Sequence, residues 1–288
     1  MNGRVTFRGG RRHGLGQAIR SGWLPLLLLF GSLIIIGVPI VMAVAWSLVD
    51  PDNPWSFPDV FPPSLSLAQW QYVFKYTDIV RAIVTSYELA AASTLLAFVL
   101  SLPTAYAIGR FDFRGKEAIR ILLLLPLVLP GLVVALFLSR VFGFMGLAQT
   151  FPGLVLGHTL LVLPYMARLM STSFEAIPRD ISDAASNLGA SELRKFREIY
   201  LPMIMPGIFA GAILTFIASL EEFALTFVIG TPDYQTIPTI LFGFLTQHFV
   251  RTNAAVVALI LMVPNVVMLF IADRALRADF VASAYGKL

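Results

Sequence analysis

The sequence contains no cysteine, so no disulfide braces its loops and no thiol chemistry is open to it. Charge is scarce as well: 13% of residues are Asp, Glu, Lys or Arg, against 57% hydrophobic, and the mean hydropathy is +0.80. The three histidines, His13, His158 and His248, are too scattered to argue a metal site. No glycine-rich loop ends in Gly-Lys-Ser/Thr, so the chain has no phosphate cradle of its own. No His-Glu-x-x-His and no Ser/His/Asp or paired-aspartate arrangement stands out, which leaves an intramembrane enzyme without a catalytic constellation. The formal net charge of +4 reflects membrane topology and is no argument for nucleic acid.

What the chain has instead is long apolar runs. A membrane-crossing helix needs about 20 apolar residues. Six runs qualify, at 24–48, 82–107, 119–142, 153–172, 203–228 and 254–273. The fold class expected is an all-α membrane protein with six transmembrane helices, in one domain over 23–288 behind a Gly- and Arg-rich tail, 1–22. The first run is too long, and lacks the small-residue cleavage site, for a removed signal peptide. All but four of the 21 basic residues fall on one side of these spans; the four are Lys75, Arg81, Arg140 and Arg251. The positive-inside bias then puts both termini and the loop at 177–201 in the cytoplasm, and the loops at 50–81 and 229–253 outside.

Proline marks several of these segments. Pro51, Pro54, Pro58, Pro62 and Pro63 make the first outer loop extended, and Leu65 to Phe74 reads as an interfacial amphipathic helix. Pro126 and Pro130-Gly131 predict a kink in the third span. Residues 236–250 are apolar but too short to span, so they read as a re-entrant or interfacial helix.

Polar residues inside the spans are the candidate site. Arg81, Thr85 and Glu88 form one stripe on the second span, with Glu88 about 10 Å from its outer end at 1.5 Å per residue. Glu88 reads either as a functional acid or as the partner of Arg140. On the fifth span, Gly207, Gly211, Thr215, Ser219, Glu222 and Thr226 share a face. Its small residues permit close helix approach, and its polar outer half needs water, solute or partner groups. Glu222 is expected to face a pathway and Glu221 a neighbouring helix or the outer surface; the alternative has both merely solvated at the interface. His158 reads as an interhelix hydrogen bond.

The polar stretch Asp183-Ala184-Ala185-Ser186-Asn187-Leu188-Gly189-Ala190, running to Ile199-Tyr200-Leu201-Pro202, stands between two apolar runs. Ile177, Ile181, Ala184 and Leu188 recur on one helical face; Leu193, Phe196 and Tyr200 make a second. Gly189 can take φ > 0 and end the first helix, and Pro202 opens the next run. The pattern predicts helix, glycine turn, helix, with the two apolar faces buried together.

Asp183-Ala184-Ala185, Gly189, Ile199 and Leu201-Pro202 resemble the Glu-Ala-Ala loop of permease subunits in binding-protein-dependent ABC importers, with Asp in place of Glu. Ser219-Leu220-Glu221-Glu222-Phe223 is similar to the Ser-Leu-Asp-Asp/Glu stretch of the second permease subunit of spermidine/putrescine importers. Gly230-Thr231-Pro232 with Thr236-Ile237-Pro238, and Asn253-Ala254-Ala255, extend that likeness, which covers roughly 80–288. The resemblance implies a type I importer permease in the bacterial inner membrane. It implies a second homologous permease subunit, two ATP-binding subunits that carry ATP and Mg, and a periplasmic solute-binding protein. No cofactor is expected in this chain. The loop would be the coupling helix seated on an ATPase, with Glu88, Thr215, Ser219, Glu222 and Thr226 along the translocation pathway. Relatives with the acidic pair carry polyamines, opines, phosphonates or other small solutes, so the pair does not fix the solute. Scarce positive charge near Glu88 and Glu222 favours a polyamine-like cation. A secondary transporter or channel would also carry charge at mid-depth but needs no helix-Gly-helix loop.

Overall fold

The computed structural model describes residues 23–56, 58–246 and 250–285, with side chains described as far as 274. The 1–22 tail, His13 and His248 therefore lie outside the described residues. Regular structure among the described residues is helical, apart from one antiparallel bridge, Val49 to Leu65.

The helices, in chain order, are α1 (Trp23–Ser47), α2 (Ala68–Tyr76), α3 (Ile79–Arg110), α4 (Lys116–Val128), α5 (Gly131–Met145), α6 (Phe151–Glu175), α7 (Arg179–Asn187), α8 (Glu192–Lys195), α9 (Leu201–Glu221), α10 (Ile237–Thr246) and α11 (Arg251–Tyr285). A π turn over Phe196–Tyr200 joins α8 to α9, so that 192–221 runs as one apolar helix. A second π turn covers Thr226–Gly230. Five helices are long and apolar enough to cross a membrane: 23–47, 79–110, 151–175, 192–221 and 251–274.

Two expected spans take another form. The third is not a kinked helix but two helices, α4 and α5, bent by 101°. Leu129 and Pro130 between them are extended (ψ 136° and 128°), and Pro130 has no N–H to continue the ladder. The fifth span stops at Glu221, because Glu222 turns extended with ψ 126°.

α3 and α6 form the centre, and α9 packs across both. Where α3 meets α6, Gly109 lies against Phe174, so closely that a Cβ there would overlap the Phe174 Cβ. Gly207 and Gly211 of α9 lie in the same way against Ser173 and Met166 of α6. Small residues at these crossings let dispersion contacts replace the hydrophobic drive that lipid does not supply. A core of Ala97, Ala105, Val162, Met166, Met170, Phe174, Tyr200 and Ile204 results. A second cluster ties Val73 of α2 and Ile79 of α3 to Ile237 and Phe244 of α10 and Val256 of α11.

Gly109→Val should therefore lower the melting midpoint of the detergent-purified protein, since overpacking a tight contact costs about 1–3 kcal/mol. Gly31→Val, where a Cβ meets nothing within 4 Å, is the control and should leave it almost unchanged. Equal midpoints for the two variants would show that the α3–α6 contact yields freely.

Candidate functional site

The end of the bundle at α7 and α8 is densely charged, with Arg110, Lys116, Arg179 and Arg194 beside Asp112, Asp180, Asp183, Glu192 and Glu198. α7 ends in a Schellman arrangement: Ala190 N–H donates to the Ala185 carbonyl at 3.0 Å and Gly189 N–H to the Ser186 carbonyl at 2.9 Å. Gly189 has φ +80°, a conformation that disfavours any side chain, and it stands in open space. Ser191 caps α8 by accepting from Arg194 N–H at 3.3 Å. The helix-Gly-helix shape thus forms where the sequence puts it.

Its faces are only partly those expected: Ile177, Phe196 and Tyr200 pack on the main core, but the apolar residues flanking the turn do not. Leu188 is 89% and Leu193 65% exposed, and Ile181 also points outward. The inward side of α7 is polar: Ser182 shares a 2.7 Å hydrogen bond with Tyr200 OH, and Ser186 Oγ accepts from Lys195 Nζ at 2.9 Å. Lys195 is buried and paired with Glu192. The reason is Tyr200, whose hydroxyl sits at the floor of the turn and needs a polar neighbour when buried. Asp183 and Ala184 are exposed, Ala185 is half-buried, and Asp183 makes no hydrogen bond or ion pair among the described residues. Ile199 packs on the main core, Leu201 is half-buried, and Pro202 is exposed at the start of α9.

The element is held rigidly from beneath. Arg110 Nη1 donates to the carbonyls of Ile177 at 2.7 Å and Phe174 at 3.4 Å, and its guanidinium lies 5.0 Å from the Tyr200 ring centre. Tyr106 meets Phe174, Phe196 and Tyr200 at ring distances of 5.4, 5.9 and 5.6 Å. On the surface, Arg179 Nη2 reaches Asp112 Oδ2 at 2.7 Å and Lys116 reaches the other oxygen at 3.2 Å. The hydrogen bond from Arg179, then that from Lys116, hold the Asp112 carboxyl below its ordinary range. With a lowered folded-state pKa this latch is intact at neutral pH and is lost only as acid titrates that carboxyl. Arg110 reads in the sequence as a topology signal alone, and nothing there marks Tyr106 or Phe174 as its partners.

A second constellation lies where α9 breaks. His158 of α6 is fully buried and spans the break. Its Nδ1 is 2.9 Å from Ser219 Oγ on one side, and its Nε2 2.9 Å from Thr226 Oγ1 on the other. Glu222 accepts from Leu225 N–H at 3.0 Å with both oxygens and from Thr226 N–H at 3.4 Å, and so caps the short helix that follows. Glu222 Oε2 is 3.7 Å from His158 Nε2, and the side chain is 12% exposed. The α4–α5 bend adjoins this point: a Cβ on Gly131 would lie 4.0 Å from Glu222 Oε1. Two helix discontinuities therefore meet around one buried imidazole and one carboxylate.

This placement corrects the expected pathway face. Thr215, Ser219 and Thr226 are buried inside the protomer against α6, and Thr215 Oγ1 has no partner. The stripe that sequence periodicity groups together is the packing face, because its glycines are what allow α6 to approach. Glu222 turns back onto the chain because its helix ends there. Glu88 is exposed on α3 and does not pair with Arg140, while Thr85, expected on its stripe, is buried. Glu221 accepts from Asn265 Nδ2 of α11 at 2.5 Å, toward a neighbouring helix as expected.

Residues 99–278 match the family described as binding-protein-dependent transport system inner membrane component. The chain belongs to this family. It is the permease subunit of an ABC importer with the type I fold, and no enzyme: ATP hydrolysis is the work of a separate ATPase. The permease is 26% identical over 210 residues to the spermidine/putrescine transport system permease protein PotC of Haemophilus influenzae, covering 73% of this chain and 81% of that one. It is 34% identical over 160 residues to a probable molybdenum ABC transporter permease of Haloferax volcanii, covering 53% of this chain and 60% of the relative. Its fold is similar to that of a bacterial ABC transporter for the acidic polysaccharide alginate, with TM-score 0.70, 15% identity, and 93% and 99% of the two chains covered. The permease family implies an ATPase and a binding protein as partners.

Proposed function

We propose that the permease pairs with a second homologous permease, two ATPases and a periplasmic binding protein, and carries a polyamine-like cation inward. The observation that carries the coupling part is the pair of exposed leucines, Leu188 and Leu193, on either side of the Gly189 turn. A protruding apolar knob on a rigid base, among charged residues of both signs, is costly in water and suits a groove on a partner. In this reading the α7–α8 turn is the coupling helix, and Asp183, with no ion pair among the described residues, reaches a base or a helix end on the ATPase. ATP and Mg are bound there and not by this chain. The bias of all but four of 21 basic residues to one side supports both termini, and the α7–α8 turn, being cytoplasmic.

For the solute, the supporting facts are two carboxylates on the apolar helices, exposed Glu88 in α3 and Glu222 at the end of α9, and the likeness to PotC. Charge on such helices is expensive unless it meets water, a partner or a solute. The relatives named above handle polyamines and molybdenum, so the charge argument decides between a cation and an anion. The test is uptake by the reconstituted complex with its binding protein, comparing putrescine, molybdate and trehalose. Putrescine uptake is expected to dominate and to fall about tenfold or more in Glu222→Gln, whose amide oxygen keeps the cap but loses the charge. Molybdate uptake that is indifferent to Glu222→Gln would sink the cation reading.

A further inference from the structure

At the end of the bundle opposite the α7–α8 turn there is a cavity of ≈ 550 Å³ between α2 and the 227–253 segment. Its walls include Tyr72, Tyr76, Phe227 and Phe242, with Tyr72 and Tyr76 ring centres 5.6 Å apart and Phe227 and Phe242 5.2 Å apart. Its polar groups include two acceptors left unused. Asp78 stands at the N-cap of α3 without capping it; the Thr77 hydroxyl takes the Ile79 N–H instead, at 3.3 Å. The Asp78 carboxylate is exposed and has no hydrogen bond or ion pair among the described residues, while its backbone carbonyl accepts from Ala82 N–H at 2.9 Å. Asn253, 5% exposed, lines the same cavity, and its Oδ1 has no partner. An unpaired amide carbonyl in so buried a position is costly, and a donor from a ligand relieves that cost.

No Lys or Arg lines the cavity among the described residues. Two bases stand nearby: Lys75, 5.3 Å from the Tyr76 ring centre, and Arg81, which lines a smaller neighbouring recess with Asp78 and Asp233. Ring faces carry negative quadrupole potential, and a carboxylate and a carbonyl beside them add further acceptors. An ammonium group finds three kinds of favourable contact there. An oxyanion there faces the Asp78 carboxylate and the ring faces, with only neutral donors, among them the Tyr hydroxyls and the Gln235 and Asn253 amides, to set against them.

We propose that this cavity is a binding site for the ammonium end of an alkylamine, the first place the solute rests on the permease. Asp78 pairs with the ammonium, Asn253 Oδ1 accepts one of its protons, and the Tyr72/Tyr76 and Phe227/Phe242 pairs cover the alkyl chain. The proposal rests on the cation reading above and adds a location and a ligand class to it.

The test is equilibrium dialysis of radiolabelled putrescine against the purified complex without its binding protein. Saturable binding is expected, weakened at least tenfold by Asp78→Asn and several-fold by Asn253→Leu. 1,4-Butanediol, of the same length but uncharged, should not displace it even at hundredfold excess. Asp78→Asn leaves the helix start intact, since Asp78 makes no cap bond. Absence of saturable binding, displacement by butanediol, or unchanged affinity in Asp78→Asn overturns the proposal. Uptake, measured in parallel, separates this from the broader reading. Putrescine uptake with unaltered dialysis binding in Asp78→Asn removes the site and keeps the cation importer. A complex that neither binds nor imports putrescine but imports molybdate removes both. Loss of stimulation by loaded binding protein, with putrescine binding unchanged, makes the cavity a protein-docking surface and overturns the solute site.

Discussion

Gly189→Val should leave a stable, membrane-inserted permease whose complex hydrolyses ATP without responding to loaded binding protein, with uptake reduced more than tenfold. The backbone at Gly189 is left-handed, φ +80°, and a side chain there costs roughly 1–2 kcal/mol. That cost is modest for the protomer, because a Cβ at 189 meets nothing within 4 Å. The same open space is where the proposed ATPase groove closes on the turn, flanked by exposed Leu188 and Leu193. A branched side chain there holds the two surfaces apart. Gly115 supplies the control: it has φ +90°, open surroundings, and a place at the start of α4, off the α7–α8 turn. Gly115→Val carries the same backbone strain and should transport nearly normally. Stimulated hydrolysis and uptake at wild-type levels in Gly189→Val would remove the turn from the coupling role. Equal damage in the two variants would reduce the effect to strain.

His158→Leu should have the second large effect. The imidazole is the strut across the α9 break, and its loss strands two buried hydroxyls, Ser219 Oγ and Thr226 Oγ1. Each orphaned buried group costs about 1–3 kcal/mol, reduced where a hydroxyl turns to a carbonyl one turn back. The break then loses its fixed geometry, and Glu222 its nearest polar neighbour besides the amides it caps. The expected outcome is a melting midpoint lowered by several degrees and uptake reduced at least tenfold, with ATPase binding retained. His158→Gln, which keeps a donor and an acceptor, should recover part of both. A double-mutant cycle with Ser219→Ala reads the coupling directly, and additive losses would show that the hydrogen bond carries nothing. Unchanged uptake in His158→Leu would mean that the break does not participate in transport.

Some of this was open to reading from residues alone. Apolar length needs no partner to be recognised, so 24–48, 82–107, 153–172 and 254–273 each correspond to a membrane-length apolar span within a few residues, although the last helix runs on past its span. Gly189 and the residues around it announce a turn because a helix end is closed by local hydrogen bonds, here within the six residues from Ala185 to Ala190. The histidine, too, reads correctly as an interhelix hydrogen bond.

What failed shares one cause. Periodicity says which residues share a face and nothing about what that face meets. The Gly207-to-Thr226 stripe turned inward to α6 because only its small residues fit so close a neighbour. The apolar face of α7 turned outward because Tyr200, eighteen residues from Ser182, brought a hydroxyl to the floor of the turn. Pro126 and Pro130-Gly131 predict a kink of no particular size; the 101° bend is set by where α5 packs, on Leu89 and Leu154. The sequence by itself determined four of the membrane-length helices, the glycine turn and the family. The inward and outward faces, the meeting of the two helix breaks at His158 and Glu222, and the cavity at Asp78 and Asn253 were decided by tertiary structure. They bring together residues as much as 175 positions apart, as Asp78 and Asn253 are around one cavity, and no local pattern encodes that.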